Sequence, residues 1–192
     1  MSIVLRPGRQ EGLPLLPLIG AFAVLVCTRT MYELDSRLRW PNDITIRGKK
    51  IAGAIADSTF SGEDIAYVIL GVGVNCNTTS ESLGDLAPFS TTLRDELNRS
   101  IDIDEVRDGV LRSLAALYPR WESGDVTVVK ERTRDFSTLG KRVELRLRDG
   151  GSVVTGTAID IADDGSLIAR TDREGAVVAF SVDDVERLVE TV

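Results

Sequence analysis

Residues 13–28, LPLLPLIGAFAVLVCT, are apolar almost without a break. Such a stretch predicts a helix from about Leu15 to Leu34, buried around most of its circumference. Pro14 and Pro17 fall in its first turns, where a missing N–H is tolerated. Ahead of it, Ser2–Leu5 reads as a short strand. Behind it, Leu38–Trp40 begins a strand that the turn-forming Pro41-Asn42-Asp43 interrupts. Ile44-Thr45-Ile46 alternates and leads into Arg47-Gly48, a two-residue hairpin signal. Lys50–Asp57 resumes a strand, Ser58–Asp64 reads as a polar loop, and Ala66–Asn75 is β-rich. Residues 77–90, rich in Ser, Thr and Gly, predict a long surface loop. A 3.6-residue period predicts helices over Thr91–Arg99 and Asp104–Trp121, the second capped by Asp102 or Asp104, and Glu131–Phe136 closes a third.

After Leu139-Gly140 the texture changes. RVELRLR (142–148) alternates strictly, Asp149-Gly150-Gly151 and Asp163-Asp164-Gly165 are turns, and Val153–Ile161, Ser166–Thr171 and Ala176–Ser181 are strand-like. Short strands at this spacing predict a small antiparallel barrel or sandwich. The boundary is expected near Ser137, giving domains over 1–136 and 137–192.

Composition narrows the chemistry. The 192 residues contain no histidine, which excludes Ser-His-Asp triads, Cys-His dyads and histidine zinc sites. Two distant cysteines, Cys27 and Cys76, argue against a disulfide framework. The net charge is −7 and basic runs are missing, so binding to nucleic acid through phosphate neutralisation is not expected. Glu11 ahead of the apolar run and the lack of an A-x-A site speak against a signal peptide. The run also falls short of the ~20 residues that span a bilayer. No membrane association is expected, and the cytoplasm is the expected compartment.

The informative stretch is Arg39 to Asn77. Strict alternation along Lys50–Asp57 would put Lys50, Ala52, Ala54 and Ala56 on one face and Ile51, Gly53 and Ile55 on the other. In Ile69–Asn77, Gly71, Gly73 and Asn75 share a face. Two adjoining strands with small side chains make a flat shelf, with Lys50 and Asn75 at its edges. A shelf of that kind suits an elongated ligand with an anionic end. Each residue also has a plainer reading: an edge lysine, a strand bulge, an Asx-turn at Asp43, a strand cap at Asn75, a surface Arg39 with a buried stem.

The order R-W-P-N-D (39–43), R-G-K-K-I-A-G (47–53), G-V-G-V-N (71–75) resembles the catalytic domain of biotin protein ligases, whose pattern reads K-W-P-N-D, K-K-x-x-G, G-x-G-x-N. I-V-L-R-P (3–7) is similar to the strand before that family's buried helix. Residues 139–192 resemble its small C-terminal SH3-like barrel, including G-x-x-x-x-I-x-x-D-G-x-L from Gly156 to Leu167.

The resemblance implies an α+β, class II synthetase-like fold with a mixed sheet and helices on one side, followed by the barrel. It implies ATP-dependent activation of biotin to biotinyl-AMP, with Mg2+, and transfer to a lysine of a biotin carboxyl carrier domain. Lys50 matches the cation at the acyl-phosphate centre and Asp43 the acidic residue near the adenylate. Lys50, Gly53, Ala54, Ile55 and Gly71 match the biotin site, and Asn75, Asn42 and Arg39 the nucleotide site. No metal ligand set within the protein is implied. The family often forms a homodimer through its sheet. Arg39 stands where the family has lysine, and the family's G-R-G-R-x-G-R loop and Ser/Thr-Thr-Asn segment do not occur in the sequence. On that ground the catalytic domain is expected to be N-terminally incomplete and slow. No winged helix is present to support a DNA-binding repressor. A lipoate or octanoate ligase or transferase, and a non-catalytic remnant that keeps the shelf, are the rival readings.

Overall fold

The computed structural model describes residues 1–173 and 175–191, the side chains of Ser80, Glu81 and Thr191 aside. The fold is α+β and divides into two compact units, one of Met1–Leu38 and Asn42–Gly124, the other of Arg39–Pro41 and Asp125–Val192. The boundary expected near Ser137 and this division differ by the segment 125–136, which holds a four-residue helix, α4 (Thr127–Lys130), and a 3-10 turn at Thr133–Asp135.

The first unit is a five-stranded sheet of β1 (Ser2–Leu5), β2 (Ser36–Arg39), β3 (Asp43–Ile46), β4 (Lys49–Ser61) and β5 (Asp64–Val74), in the order β1-β5-β4-β3-β2. The β1–β5, β5–β4 and β4–β3 ladders are antiparallel, and one parallel bridge joins Lys50 to Ser90. The helix α1 (Leu16–Tyr32) covers one face, with Leu16, Ile19, Phe22 and Leu25 fully enclosed. It starts with prolines and stops where Glu33 takes a left-handed conformation, φ 55°. Although α1 and its leading turn are apolar and long enough to cross a membrane, this helix packs on β4, β5 and α3 (Ile103–Glu122). Gly20 comes so near the sheet that a Cβ there would lie 3.0 Å from the Ala54 Cβ.

α3 is amphipathic: Val106, Val110, Leu114, Leu117 and Trp121 are buried on one stripe. The Asp102 side chain caps it, accepting from the backbone N–H groups of Asp104 and Glu105. A shorter helix, α2 (Leu93–Leu97), lies inside the stretch predicted over Thr91–Arg99, and 3-10 turns at Ser80–Leu86 punctuate the expected loop.

The hairpin at Arg47-Gly48 forms with both residues at positive φ, 51° and 78°, as a tight two-residue turn between strands requires. The polar loop expected at Ser58–Asp64 is instead strand. β4 and β5 continue as a paired ribbon to Ser61↔Asp64, turning at Gly62-Glu63. Polar alternation there reflects a ribbon wet on both faces, not the end of a strand.

The second unit is a five-stranded antiparallel sheet of β6 (Arg142–Leu147), β7 (Val153–Ile161), β8 (Leu167–Thr171), β9 (Val177–Phe180) and β10 (Val185–Thr191), in the order β10-β6-β7-β8-β9. Val143, Leu145, Ala158, Ile161, Leu167 and Ala169 form its core. Trp40 belongs to this unit: it is buried, its indole N–H donates to the Gly165 carbonyl at 2.9 Å, and its backbone N–H donates to the Thr138 hydroxyl at 3.0 Å. Gly156 is required by strand contact, because a Cβ would run into the Arg170 carbonyl oxygen.

Candidate functional site

The candidate site lies on the sheet face opposite α1, and a break in register on β4 creates it. Ile44 pairs with Ala52 but Thr45 pairs with Lys50, so Ile51 is an extra residue, a β-bulge. The bulge overturns the expected alternation. Ile51, Ala52 and Ala54 all point into the core, at 0%, 3% and 2% exposure. Lys50 is thereby moved to the face of Gly53 and Ile55. The alanines are small because α1 packs against them, Ala54 against Gly20 in particular, and not to leave room for a ligand.

The shelf exists, but glycines build it. Gly53 is directly opposite Gly73, and Ile55 is opposite Gly71. These residues, with Lys50, Asp43 and Asn75, line an open groove of about 540 Å³. Ile55 is 70% exposed on its floor, and Gly71 is constrained by it: a Cβ there would sit 3.1 Å from Ile55 Cγ1. Ala54 lines the groove although its side chain is buried, so what it presents there is the surface of its backbone.

At the β3 end, Lys50 Nζ lies 2.5 Å from Asp43 Oδ1. The pair lies over Gly53, whose missing side chain makes the space: a Cβ would be 3.1 Å from Asp43 Oδ1 and 3.2 Å from Lys50 Nζ. The Lys50 backbone is held on its free edge, its N–H donating to the Phe89 carbonyl at 2.8 Å and its carbonyl accepting from the Thr91 N–H at 2.9 Å. Asn75 secures the same loop by donating from Nδ2 to the Thr91 carbonyl at 3.1 Å. Asn42 also lines the groove, and its Nδ2 donates to the Ala54 carbonyl at 2.6 Å.

Of the residues expected at the site, Asp43, Lys50, Gly53, Ala54, Ile55, Gly71, Asn75 and Asn42 line one groove. Arg39 does not: it ends β2 and groups with the second unit. Gly73, expected on the shelf, also lines the groove. The Phe89–Thr91 segment that pins Lys50 was not among the expected site residues, and nothing in the sequence marks it as a partner of Lys50. Among the described residues no group of three or more His, Cys, Asp or Glu converges to hold a metal ion.

Lysine and aspartate in hydrogen-bonded contact above a glycine floor can fix a cation beside a bound anion without a bulky side chain intervening. The chain matches known proteins in sequence and in fold. Residues 5–75 match the Biotin/lipoate A/B protein ligase family and residues 138–183 the Biotin protein ligase C terminal domain. The chain is 29% identical over 185 residues to the bifunctional ligase/repressor BirA of Bacillus subtilis, covering 95% of this chain and 56% of that protein. It is 32% identical over 154 residues to the biotin–[acetyl-CoA-carboxylase] ligase of Mycobacterium tuberculosis, covering 80% and 54%. The chain thus spans about half the length of the curated relatives it matches. In fold it is similar to the biotin protein ligase of Aquifex aeolicus in complex with biotin and ATP, with a TM-score of 0.83, 22% identity, and coverage of 99% of this chain and 77% of that one. A biotin protein ligase-like protein of unknown function from Silicibacter aligns at TM-score 0.73 and 16% identity, over 95% and 77%. With both of its units matched, the chain belongs to the biotin protein ligase family.

Proposed function

We propose that the protein activates biotin with ATP and transfers it to a lysine of a biotin carboxyl carrier domain. The observation that carries this reading is the Lys50–Asp43 pair at one end of a glycine-floored groove. A biotin carboxylate oxygen attacks the α-phosphorus of ATP, the bond to the leaving pyrophosphate breaks, and biotinyl-AMP forms. The carrier lysine then attacks the acyl carbon as a free amine, the carbon–oxygen bond to AMP breaks, and the amide nitrogen sheds its proton. Both steps concentrate negative charge where Lys50 is fixed, so the cation stabilises the transition states more than the ground states.

Gly53, Ile55, Gly71 and the Ala54 backbone form the biotin floor, and Asn75 serves the nucleotide phosphates. Mg2+ enters with ATP and is held largely by its phosphates and water, in keeping with its preference for few protein ligands. Arg39 has no assigned role in the groove. The match of residues 138–183 to a biotin ligase domain supports biotin over lipoate as the acyl group. ATP dependence fits the cytoplasm, and association through the sheet would give a homodimer.

The test is single-turnover formation of biotinyl-AMP, scored apart from transfer to a carrier domain. Lys50→Gln should lower the rate by about 2–4 kcal/mol of transition-state stabilisation, or about 30- to 1000-fold. Lys49→Gln, on the neighbouring exposed residue paired with Ile46, should be nearly neutral. Equal effects at both positions would remove Lys50 from the site.

A further inference from the structure

Asn42 does something in this structure other than wait for a nucleotide. Its Nδ2 donates to the Ala54 carbonyl at 2.6 Å, and its own backbone carbonyl accepts from the Ala54 N–H at 3.3 Å. Side chain and main chain together thus hold both the N–H and the carbonyl of a single residue of β4. The residue clasped is rigid: Ala54 is 2% exposed and is wedged against α1 at Gly20. The next residue after the clasp is Asp43, which opens the β3–β4 ladder opposite Gly53 and pairs with Lys50 Nζ at 2.5 Å.

Both groups of the ion pair are partly open to water, with side-chain exposures of 43% for Lys50 and 20% for Asp43. An aspartate in that setting keeps one orientation only if the backbone on each side is held. On the C-terminal side the ladder to β4 does this, and on the N-terminal side the Asn42 clasp does. One of the two N–H groups of the Asn42 amide is thus engaged with a strand carbonyl before any nucleotide arrives.

We infer that Asn42 is a positioning residue, which fixes Asp43 and through it the Lys50 ammonium. This rests on the proposed biotin-activating function and assigns a further residue to it. A misplaced ammonium loses transition-state stabilisation steeply, since developing charge is served only by a donor already in place.

The experiment uses the full-length protein with biotin, ATP and Mg2+, reading single-turnover biotinyl-AMP formation and the KM for ATP. Asn42→Ala removes the donor, and Asn42→Asp removes it with almost no change of shape, so one of the two keeps the fold if the other does not. Melting temperature is recorded for each. Both variants should form biotinyl-AMP at least tenfold more slowly, with the ATP KM within twofold of the parent. In a Lys50→Gln background, Asn42→Ala should have little further effect, because the two act through one group. A raised ATP KM with the rate preserved would overturn the inference in favour of nucleotide contact. So would a full, additive loss in the Lys50→Gln background. A parent protein that forms no biotinyl-AMP would instead overturn the proposed function, and this inference with it.

Discussion

Lys50 and Ala54 show how far a single inserted residue can redirect a side chain. Perfect alternation would leave Lys50 above three alanines; with Ile51 bulged, it lies above Gly53, which has no side chain to displace it. Gly53→Ala tests that geometry. The new Cβ would stand 3.1–3.2 Å from Asp43 Oδ1 and from the last two atoms of Lys50, all at the ends of side chains that can yield by a few tenths of an ångström. The expected outcome is a melting temperature close to the parent's and biotinyl-AMP formation about tenfold slower, about 1.4 kcal/mol in barrier. Differential scanning calorimetry and single-turnover kinetics on the same preparation check it. That Lys50, Asp43, Gly71 and Asn75 line one groove was legible from motif order. The commitment of Asn42 to Ala54 was not, because hydrogen-bond partners between β4 and the turn before β3 exist only once the strands pair.

Among the elements, α1 was the most legible, since an all-round apolar run of that length has few fates other than burial. Its crossing over the sheet depends on Gly20, which allows close approach to Ala54 and to the Leu70 side chain, 3.1 Å from where a Cβ would be. Gly20→Val should overpack this contact and destabilise the protein by about 1–3 kcal/mol, read as a lower midpoint in urea with an unchanged slope. The groove should survive in the folded fraction, because Gly20 packs on the opposite face of the sheet. The outer half of β4 was missed for a definite reason. Ser58, Thr59 and Ser61 are exposed, so their composition resembles a loop while ladder hydrogen bonds to β5 make them strand. The helix predicted to close at Phe136 proved to be the single turn α4 followed by a 3-10 turn, since few residues there offer a continuous apolar stripe.

For the molecule as a whole, groups whose protons burial holds contribute to the response to alkali, Cys27 and Tyr32 among them. Burial pushes the Cys27 thiol up to about 11 from an ordinary 9.0. Burial, with the nearby Glu105 carboxylate adding to it, pushes the Tyr32 hydroxyl up to about 12 from 10.0. A raised folded-state pKa means that the folded protein holds its proton more tightly than the unfolded chain does. Stability is therefore undiminished below about pH 9, and falls as pH rises from the unfolded values toward the folded ones. The melting temperature should drop between pH 9 and 11, and Cys27→Ala should flatten that drop, by on the order of 2 kcal/mol at the alkaline end. At the acid end, Asp172 is held below the usual carboxylate range by the Arg142 guanidinium and the Thr155 hydroxyl. Its contribution is present above the ordinary carboxylate range and is lost as pH falls through its lowered value.

The linear order of residues determined the chemistry on offer. The absence of histidine, the order R-W-P-N-D, K-K-I-A-G, G-V-G-V-N, the buried helix and the change of texture after Leu139 are all properties of the chain as written, and they suffice to point to the family. Periodicity could also state which residues share a face, but only on the assumption of unbroken pleating. Tertiary structure decided the rest. Pairing β4 with β3 forced the bulge at Ile51, packing α1 on the sheet claimed Ala52 and Ala54 for the core, and the glycines were left to form the floor of the groove. The same pairing put Asn42 against Ala54 and Asp43 against Lys50. Strand register is a long-range agreement between segments, and a one-residue slip moves every following side chain to the other face.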